Sequence, residues 1–337
     1  MKRISRRQCL LGSAALAAGS LLLSCWRAVS PGQKPAADVQ ANPFAAPGQW
    51  YKGAVHVHST RSDGKLSPEE VMKAHRERGY DFLALTDHNV ITDLSALSDK
   101  TFLNIPSVEW TYDRNELGQS YHIVVLGVRQ NLTLSHETPI QEAIDAWAAA
   151  GATIFVAHTY WSGMVYSELL PLDKLIGLEV YNTSSMTDHG KGLAAVHWDD
   201  VLVRGKRWWG LAVDDTHWIS EPGRPYYDTF GGWVMVKSQK LDETSILAAL
   251  RQGQFYSSSG PEILDYRIEN GVAYLKCSPA QVINFVGHTQ WGTQRRAAPG
   301  QTVTEAEYRL NGKERYLRGE CMDAEGNKAW TNPIYLS

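Results

Sequence analysis

Six of the eleven histidines fall at the ends of apolar, β-rich runs, with carboxylates among them. Val55-His56-Val57-His58 closes the first run and Ser62-Asp63-Gly64 follows it. Asp87-His88 follows Leu83-Ala84-Leu85-Thr86, and Glu109 follows Pro106-Ser107-Val108. His122 opens the run to Val128, His158 follows Ile154 to Ala157, and Asp215-Thr216-His217 follows Leu211-Ala212-Val213. Residues at i and i+2 of a strand share a face, so His56 and His58 can bind one ion. Imidazoles and carboxylates in such numbers suit Zn, Mn or Fe, and a shared carboxylate lets two ions sit about 3.5–4 Å apart. Left unpaired, so many ionisable groups would be costly to bury.

These residues converge only if the strand ends meet. Eight runs, Tyr51 to Val57, Tyr80 to Leu85, Phe102 to Val108, His122 to Val128, Thr153 to Ala157, Leu178 to Tyr181, Trp208 to Val213 and Trp233 to Val236, alternate with helical patterns. That repetition predicts parallel strands with helical crossovers, and in a barrel of such strands the C-terminal ends form one rim. Ser67-Pro68-Glu69-Glu70, with Gly79 beyond, predicts a capped helix over 67–78. After Pro261 the chain turns to short strands with Asn270-Gly271, Asn311-Gly312 and Glu325-Gly326 as hairpin signals. The domain reading is a barrel over 49–260 and a small antiparallel β module over 261–337.

The 337 residues, 43% hydrophobic and 20% charged, describe a globular chain with a real core. Lys and Arg number 33 against 36 Asp and Glu, and the first 25 residues hold four of the cations and no acid. An acidic remainder is ill suited to binding a nucleic-acid polymer, which rests on neutralising phosphates. The basic start followed by the uncharged run from Leu10 to Leu23 predicts a signal peptide over 1–25, too short to span a bilayer. Ser5-Arg6-Arg7-Gln8-Cys9-Leu10 resembles a twin-arginine signal, and Leu22-Leu23-Ser24-Cys25 resembles a lipobox with Cys25 as the lipidated residue. The expectation is an exported bacterial protein, periplasmic or anchored as a membrane lipoprotein. Residues 26–48, rich in Ala, Pro, Gly and Gln, read as a linker. Cys277 and Cys321 are left either to pair or to remain as buried thiols.

The ordered series His-x-His, Ser-Asp-Gly, Thr-Asp-His-Asn, a lone Glu, two separated His and Asp-x-His resembles the PHP (polymerase and histidinol phosphatase) metallohydrolase family over about residues 49 to 260. The resemblance implies an α/β fold, a distorted (β/α)7 TIM-like barrel, carrying the β module. It implies that His56, His58 and Asp215 hold one divalent ion, that Glu109 bridges it to a second held by His122 and His158, and that a third would fall on Asp63, His88 and His217. With the third ion absent, His88, His217 or Asp63 is freed for proton transfer. Asp215 is preferred to Asp214 because it keeps the Asp-x-His spacing on one strand face, and Asp87 is read as an acceptor orienting a ligating imidazole. Gly232-Trp233-Val234-Met235, Phe255-Tyr256-Ser257, Ser259-Gly260-Pro261 and Trp330-Thr331-Asn332-Pro333 look like the exported branch named after carbaryl hydrolase.

The resemblance implies a metal-dependent hydrolase in which a hydroxide bridging two ions attacks a small phosphomonoester or nucleotide-derived phosphate. A carbamate or carboxylic ester is the alternative substrate, and a non-catalytic, metal-containing surface lipoprotein the alternative of another class. Arg61, Arg114, Tyr160, Trp161, Asn182 and Lys191 are the candidate substrate contacts, and Arg224 a further nearby cation. Trp110, Tyr112, Tyr181 and Trp218 also follow strand ends and compete for the rim, whereas Trp208 and Trp209 read as packing. His75, inside the first helix, and His136 read as surface residues; His189 and His197 sit in segments that could approach the rim, and His288 lies in the β module.

Overall fold

The computed structural model describes residues 42–135 and 137–336, without the side chains of 112 and 113. The expected signal peptide, Cys25 and His136 lie outside the described residues, as do residues 26–41 of the linker. The strands that follow are β1 (Gln49–Ala54), β2 (Phe82–Leu85), β3 (Leu103–Arg114), β4 (Ser120–Leu126), β5 (Thr153–Val156), β6 (Gly177–Asn182), β7 (Trp209–Val213), β8 (Trp233–Ser238) and β9 (Phe255–Ser258). Helices α1 (Pro68–Glu77), α2 (Ile140–Ala149), α3 (Tyr166–Leu169), α4 (Thr183–His189), α5 (Ala195–Val203) and α6 (Glu243–Arg251) connect them.

β1 to β7 are neighbours in sequence order. The wall closes where the extensions of β1 and β7 meet: Val57 bridges Thr216 in parallel, Asp215 N donates to His56 O at 3.0 Å, and His58 N donates to Thr216 O at 3.0 Å. The barrel is not all parallel. β4 runs against both β3 and β5, because β3 continues to Arg114 and only residues 115–119 remain to turn the chain, far short of the dozen or more a parallel crossover needs. β8 likewise runs antiparallel to β1.

Side chains alternate across the wall. Val124, Phe155, Leu211 and Val213 point to an inner cluster that includes Ile246 and Leu250 of α6. Ile123, Ile154, Val156 and Ala212 point outward against Ile144 and Trp147 of α2 and Trp198 and Val201 of α5. On α1 the capping box forms as expected, Ser67 accepting from Glu70 N and the Glu70 carboxylate accepting from Ser67 N. His75, expected on the surface, is fully buried, because it shares the inward face of α1 with Pro68 and Val71. Its Nδ1 donates to Val71 O at 2.9 Å, its Nε2 has no partner, and Tyr80, Trp218 and Phe230 surround the ring.

The C-terminal strands are β10 (Ile263–Glu269), β11 (Val272–Ala280), β12 (Val282–Gly287), β13 (Gly292–Arg296), β14 (Val303–Arg309), β15 (Tyr316–Met322), β16 (Lys328–Thr331) and β17 (Ile334–Tyr335). Asn270-Gly271 forms the expected two-residue hairpin, with φ of 50° and 74°. Asn311-Gly312 does not join paired strands but carries the chain from one sheet to another. Only β10, β11 and β14 form a separate sheet; the others continue the barrel sheet, in which β16 lies beside β9. The sheet therefore runs through the expected boundary at 260. Asn332 completes the junction, accepting from Gly210 N of β7 and donating to Gly253 O and Phe255 O. Arg318 of β15, 1% exposed, pairs with Glu320 and, at 2.8 Å, with Asp199 of α5. Phe44, inside the expected linker, packs on Trp50 and Tyr256. Cys277 and Cys321 are both free and buried.

Candidate metal centre

The extension of β1 carries His56 and His58 onto the rim, both fully buried, with their Nε2 atoms 3.1 Å apart. Each faces Asp215 Oδ1, at 3.2 and 2.9 Å, and Glu109 Oε2, at 3.2 and 3.3 Å. Asp215 adopts a left-handed backbone, φ 56°, and joins the cluster. Asp214 turns away, accepting from the backbone N–H groups of Phe230, Gly231 and Gly232 and from Thr183 Oγ1. Burial pushes the Asp214 carboxyl up to about 7 against the pull of those bonds.

Glu109, on β3, sits at the centre. Oε1 lies 2.8 Å from His122 Nδ1 and 3.2 Å from His158 Nε2, and Oε2 lies 3.0 Å from His88 Nδ1. Asp63 comes from the loop after β1, with Oδ2 at 3.5 Å from both His88 Nε2 and His217 Nε2, and Oδ1 at 3.6 Å from His58 Nδ1. Gly64 lets that loop fold back: a Cβ there would lie 2.8 Å from the backbone carbonyl of His58. Burial opposes ionisation of Glu109, but His56, His122 and His88 hold it well below the usual carboxylate range. Burial likewise opposes charge on His217, yet the Asp63 carboxylate and Asp215 hold the ring up to about 9. Burial lowers His122.

Three sets of donor atoms gather within 4.8 Å: His56, His58, Glu109 and Asp215; His58, Asp63, His88 and His217; and His88, Glu109 and His122. The expected grouping differs in placing His158 with His122, and among the described residues His158 joins none of these sets although its ring reaches Glu109. Glu109 Oε2 is sealed from solvent and, with three ring nitrogens at 3.0–3.3 Å, makes no well-aligned hydrogen bond to any of them. A buried acceptor left unsatisfied costs about 1–3 kcal/mol, more if charged, and a divalent cation among these ring nitrogens and carboxylates would remove that penalty. The residues present fit a polynuclear metal site.

A second layer orients the donors. Glu179 of β6 accepts from His56 Nδ1 at 2.6 Å, from the His158 backbone N–H at 2.7 Å and from Asn182 Nδ2 at 2.8 Å. The Nδ1 proton on His56 leaves Nε2 for the cluster. Asn182 also reaches Asp215 Oδ2 at 3.1 Å. His217 Nδ1 donates to Asp215 O at 2.8 Å, and Asp228 accepts from His217 N at 2.6 Å. Asp87 does not orient an imidazole: it accepts from Ser59 N and the hydroxyls of Ser59, Ser62 and Thr92, because its carboxylate faces the loop that carries Asp63. Glu179 was missed in the sequence, where its signal is a lone charge inside Gly177-Leu178-Glu179-Val180.

The cluster opens into a cavity of about 330 Å³, walled also by Trp161, Ser184, Ser185, Asp188 and Ile219. Of the candidate contacts, Trp161 lines it and Asn182 works behind it. Tyr160 stands outside against His197, with Lys191 over its ring. Arg61, Arg114 and Arg224 are exposed and line no part of it. Trp110 packs on Trp147, Tyr181 on Trp330, and Trp218 on His75 and Phe230, so these three serve the core. Trp208 and Trp209 are buried as packing residues. His189 is exposed at the end of α4, His197 bonds Thr159, and His288 accepts from Arg315 N.

Residues 54–184 match the family model of the PHP domain, a stretch that holds every donor except Asp215 and His217. No curated protein matches the chain at a significant level. Among solved structures, the chain is similar to a two-domain protein containing a predicted PHP-like metal-dependent phosphoesterase from Bacteroides vulgatus, at 14% identity and TM-score 0.48, covering 87% of this chain and 97% of that one. It is similar to a protein assigned as a metal-dependent phosphoesterase from Bifidobacterium adolescentis, at 14% identity and TM-score 0.39, covering 60% and 96%. It is also similar to an amidohydrolase from Chromobacterium violaceum, with bound sulfate and no metal, at 20% identity and TM-score 0.38, covering 51% and 89%. The fold is α/β, with a mixed sheet and a separate small antiparallel C-terminal sheet, and its stretch 54–184 is the part that matches the PHP domain.

Proposed function

We propose that this chain is a metal-dependent hydrolase of small phosphate esters, phosphomonoesters or nucleotide-derived phosphates. The observation that carries the reading is Glu109: a fully buried carboxylate ringed by the nitrogens of His56, His58, His88, His122 and His158, one of whose oxygens makes no well-aligned hydrogen bond. The match of residues 54–184 to the PHP domain supports it. Two or three divalent ions, Zn, Mn or Fe, would be held by His56, His58, Asp63, His88, Glu109, His122, His158, Asp215 and His217. When bound, such ions supply an activated water at neutral pH and neutralise charge on the phosphoryl oxygens.

The chain's own groups hold and move the proton. With only two ions bound, the set of Asp63, His88 and His217 holds none and is free for proton transfer. Against burial, the Asp63 and Asp215 carboxylates favour the protonated His217 ring; its Nδ1 proton is tied to Asp215 O, which leaves the Nε2 proton, facing Asp63 and the cavity, for the leaving oxygen. His88, 27% exposed on the same carboxylate, is the alternate donor. Trp161 and Ile219 wall the cavity with apolar surface that keeps bulk water off the reacting group.

One observation favours a second reading, cleavage of a carbamate or carboxylic ester: among the described residues no Lys or Arg lines the cavity. The resemblance to the carbaryl-hydrolase branch supports the same reading. The N-terminal segment supports export to the periplasm or a lipid anchor at Cys25, and exchange of Arg6-Arg7 for Lys-Lys is expected to stop that export. The deciding experiment is metal content by mass spectrometry with p-nitrophenyl phosphate and p-nitrophenyl acetate assayed on the same sample. Two or more equivalents with phosphate release are expected, ester cleavage alone selects the second reading, and no metal after reconstitution overturns both. Glu109→Gln should lower the metal equivalents together with turnover.

A further inference from the structure

The donor rings pack as one connected cluster. Ring centroids step from Trp161 to His158 at 5.0 Å, His158 to His122 at 4.9 Å, His122 to His88 at 5.5 Å, His88 to His58 at 4.6 Å and His58 to His217 at 4.3 Å. Ile219 lines the same cavity, so Trp161 and Ile219 add apolar surface to its wall. Its polar side is α4, from which Ser184, Ser185 and Asp188 all line the cavity; residues 184 and 188 are one turn apart and share a face. None of these groups is a donor to the metal sets, and none is used in the chemistry above.

Asp188 stands outside the metal sets. Glu109, Asp63 and Asp215 each lie within ion-pair distance of two or more imidazoles, whereas His189 and His217 act on Asp188 only through space and its Oδ1 has no hydrogen-bond partner. Asp188 lines the cavity, and a carboxylate short of a hydrogen-bond donor is an acceptor for a donor brought in by a ligand. No Lys or Arg lines the cavity among the described residues, so no cationic side chain is available there to pair with Asp188 apart from the imidazoles already engaged at the metal centre.

We propose that Asp188 is a specificity-determining residue: it accepts a hydrogen bond from the leaving group of the substrate and repels leaving groups that carry a second anionic group. The inference rests on the ester-hydrolase reading, and deepens it by naming the class of leaving group, one bearing a hydroxyl, amide or ammonium donor and no carboxylate or further phosphate. Ser184 and Ser185 flank the same face and accept or donate as the leaving group requires.

The test is binding of three phenylphosphonates, substituted at the 4 position with hydroxymethyl, methyl or carboxylate, to the metal-loaded protein by calorimetry. The wild-type chain is expected to bind the hydroxymethyl ligand at least tenfold more tightly than the carboxylate ligand. In Asp188→Asn, which keeps the shape and removes the charge, that ratio should fall about fivefold or more, the order expected for removing one charge at this range in a partly solvated site. Asp188→Ser should narrow the ratio in the same direction. Equal ratios in wild type and both variants, or no binding of any of the three, overturn the proposal. The corresponding aryl phosphates and aryl acetates are assayed for turnover on the same samples; if neither series turns over, the hydrolase reading falls while the binding ratios still judge Asp188.

Discussion

Replacing Glu179 by Gln should strip the centre of metal without touching a donor. Glu179 Oε2 takes two protons, from the His158 backbone N–H at 2.7 Å and from Asn182 Nδ2 at 2.8 Å, and Oε1 takes one, from His56 Nδ1 at 2.6 Å. A glutamine must set its carbonyl oxygen where two donors already point, which turns its NH₂ toward His56 Nδ1. The imidazole then has to accept at Nδ1 and carry its proton on Nε2, the atom that faces Glu109 and Asp215. Exchanging a charge-assisted bond for a neutral one costs about 1.5–3 kcal/mol. Loss of such an orienting partner typically weakens metal binding about tenfold to a hundredfold, about 1.4 to 2.7 kcal/mol. The two routes agree. The assay is a competition titration of zinc against a chromophoric chelator on the stripped protein, with the melting temperature of the stripped form as the control for folding. A Glu179→Gln protein that melts like wild type and binds zinc within twofold of it would falsify the argument.

Three further outcomes are expected. Burial of neutral His75 holds its ring down at about 4, against 6.5 when exposed, so the unfolded chain binds the extra proton between those values and stability falls as pH drops from about 6.5 to about 4, by about 3 kcal/mol at most; urea melts of the metal-free protein should show that slope reduced in His75→Phe. Arg318→Met leaves Glu320 buried without its cation and should cost about 3–5 kcal/mol, read as a shift of the urea midpoint; a shift below 1 kcal/mol would show that Asp199 and Glu320 find other partners. Stripping the metal should lower stability by about 4 kcal/mol relative to protein held at a thousand times its dissociation constant, seen as a metal-dependent melting temperature.

The donors were legible because strand-end placement repeats: a ligand at either end of an apolar run is visible wherever the run is. Glu109, His122, His158 and Asp215 all obey that rule, and the structure brings them to one rim. The direction of β4 was not legible, since it depends on β3 continuing six residues beyond its apolar stretch into Glu109-Trp110-Thr111-Tyr112-Asp113-Arg114. The burial of His75 was hidden by its type, although its spacing from Val71 placed it on the inward face. Glu179 and Asp188 escaped for a different reason: each is a lone acid whose role exists only once β6 and α4 are laid beside the rim. The pairing of β16 with β9, which joins the C-terminal strands to the barrel sheet, was not legible because it links residues about 70 positions apart.

The Asn332 contacts set an order of assembly. The ribosome delivers the rim first, from His56 onward, yet the base of the barrel receives β16 and Asn332 only at the far end of the chain. Until those last residues emerge, Gly210 N, Gly253 O and Phe255 O lack the side chain that joins them, and the nascent barrel carries an open seam. Completion of the barrel therefore waits on β16 and Asn332, so a chain cut between β9 and β16 would keep every donor of the rim and still leave the seam open.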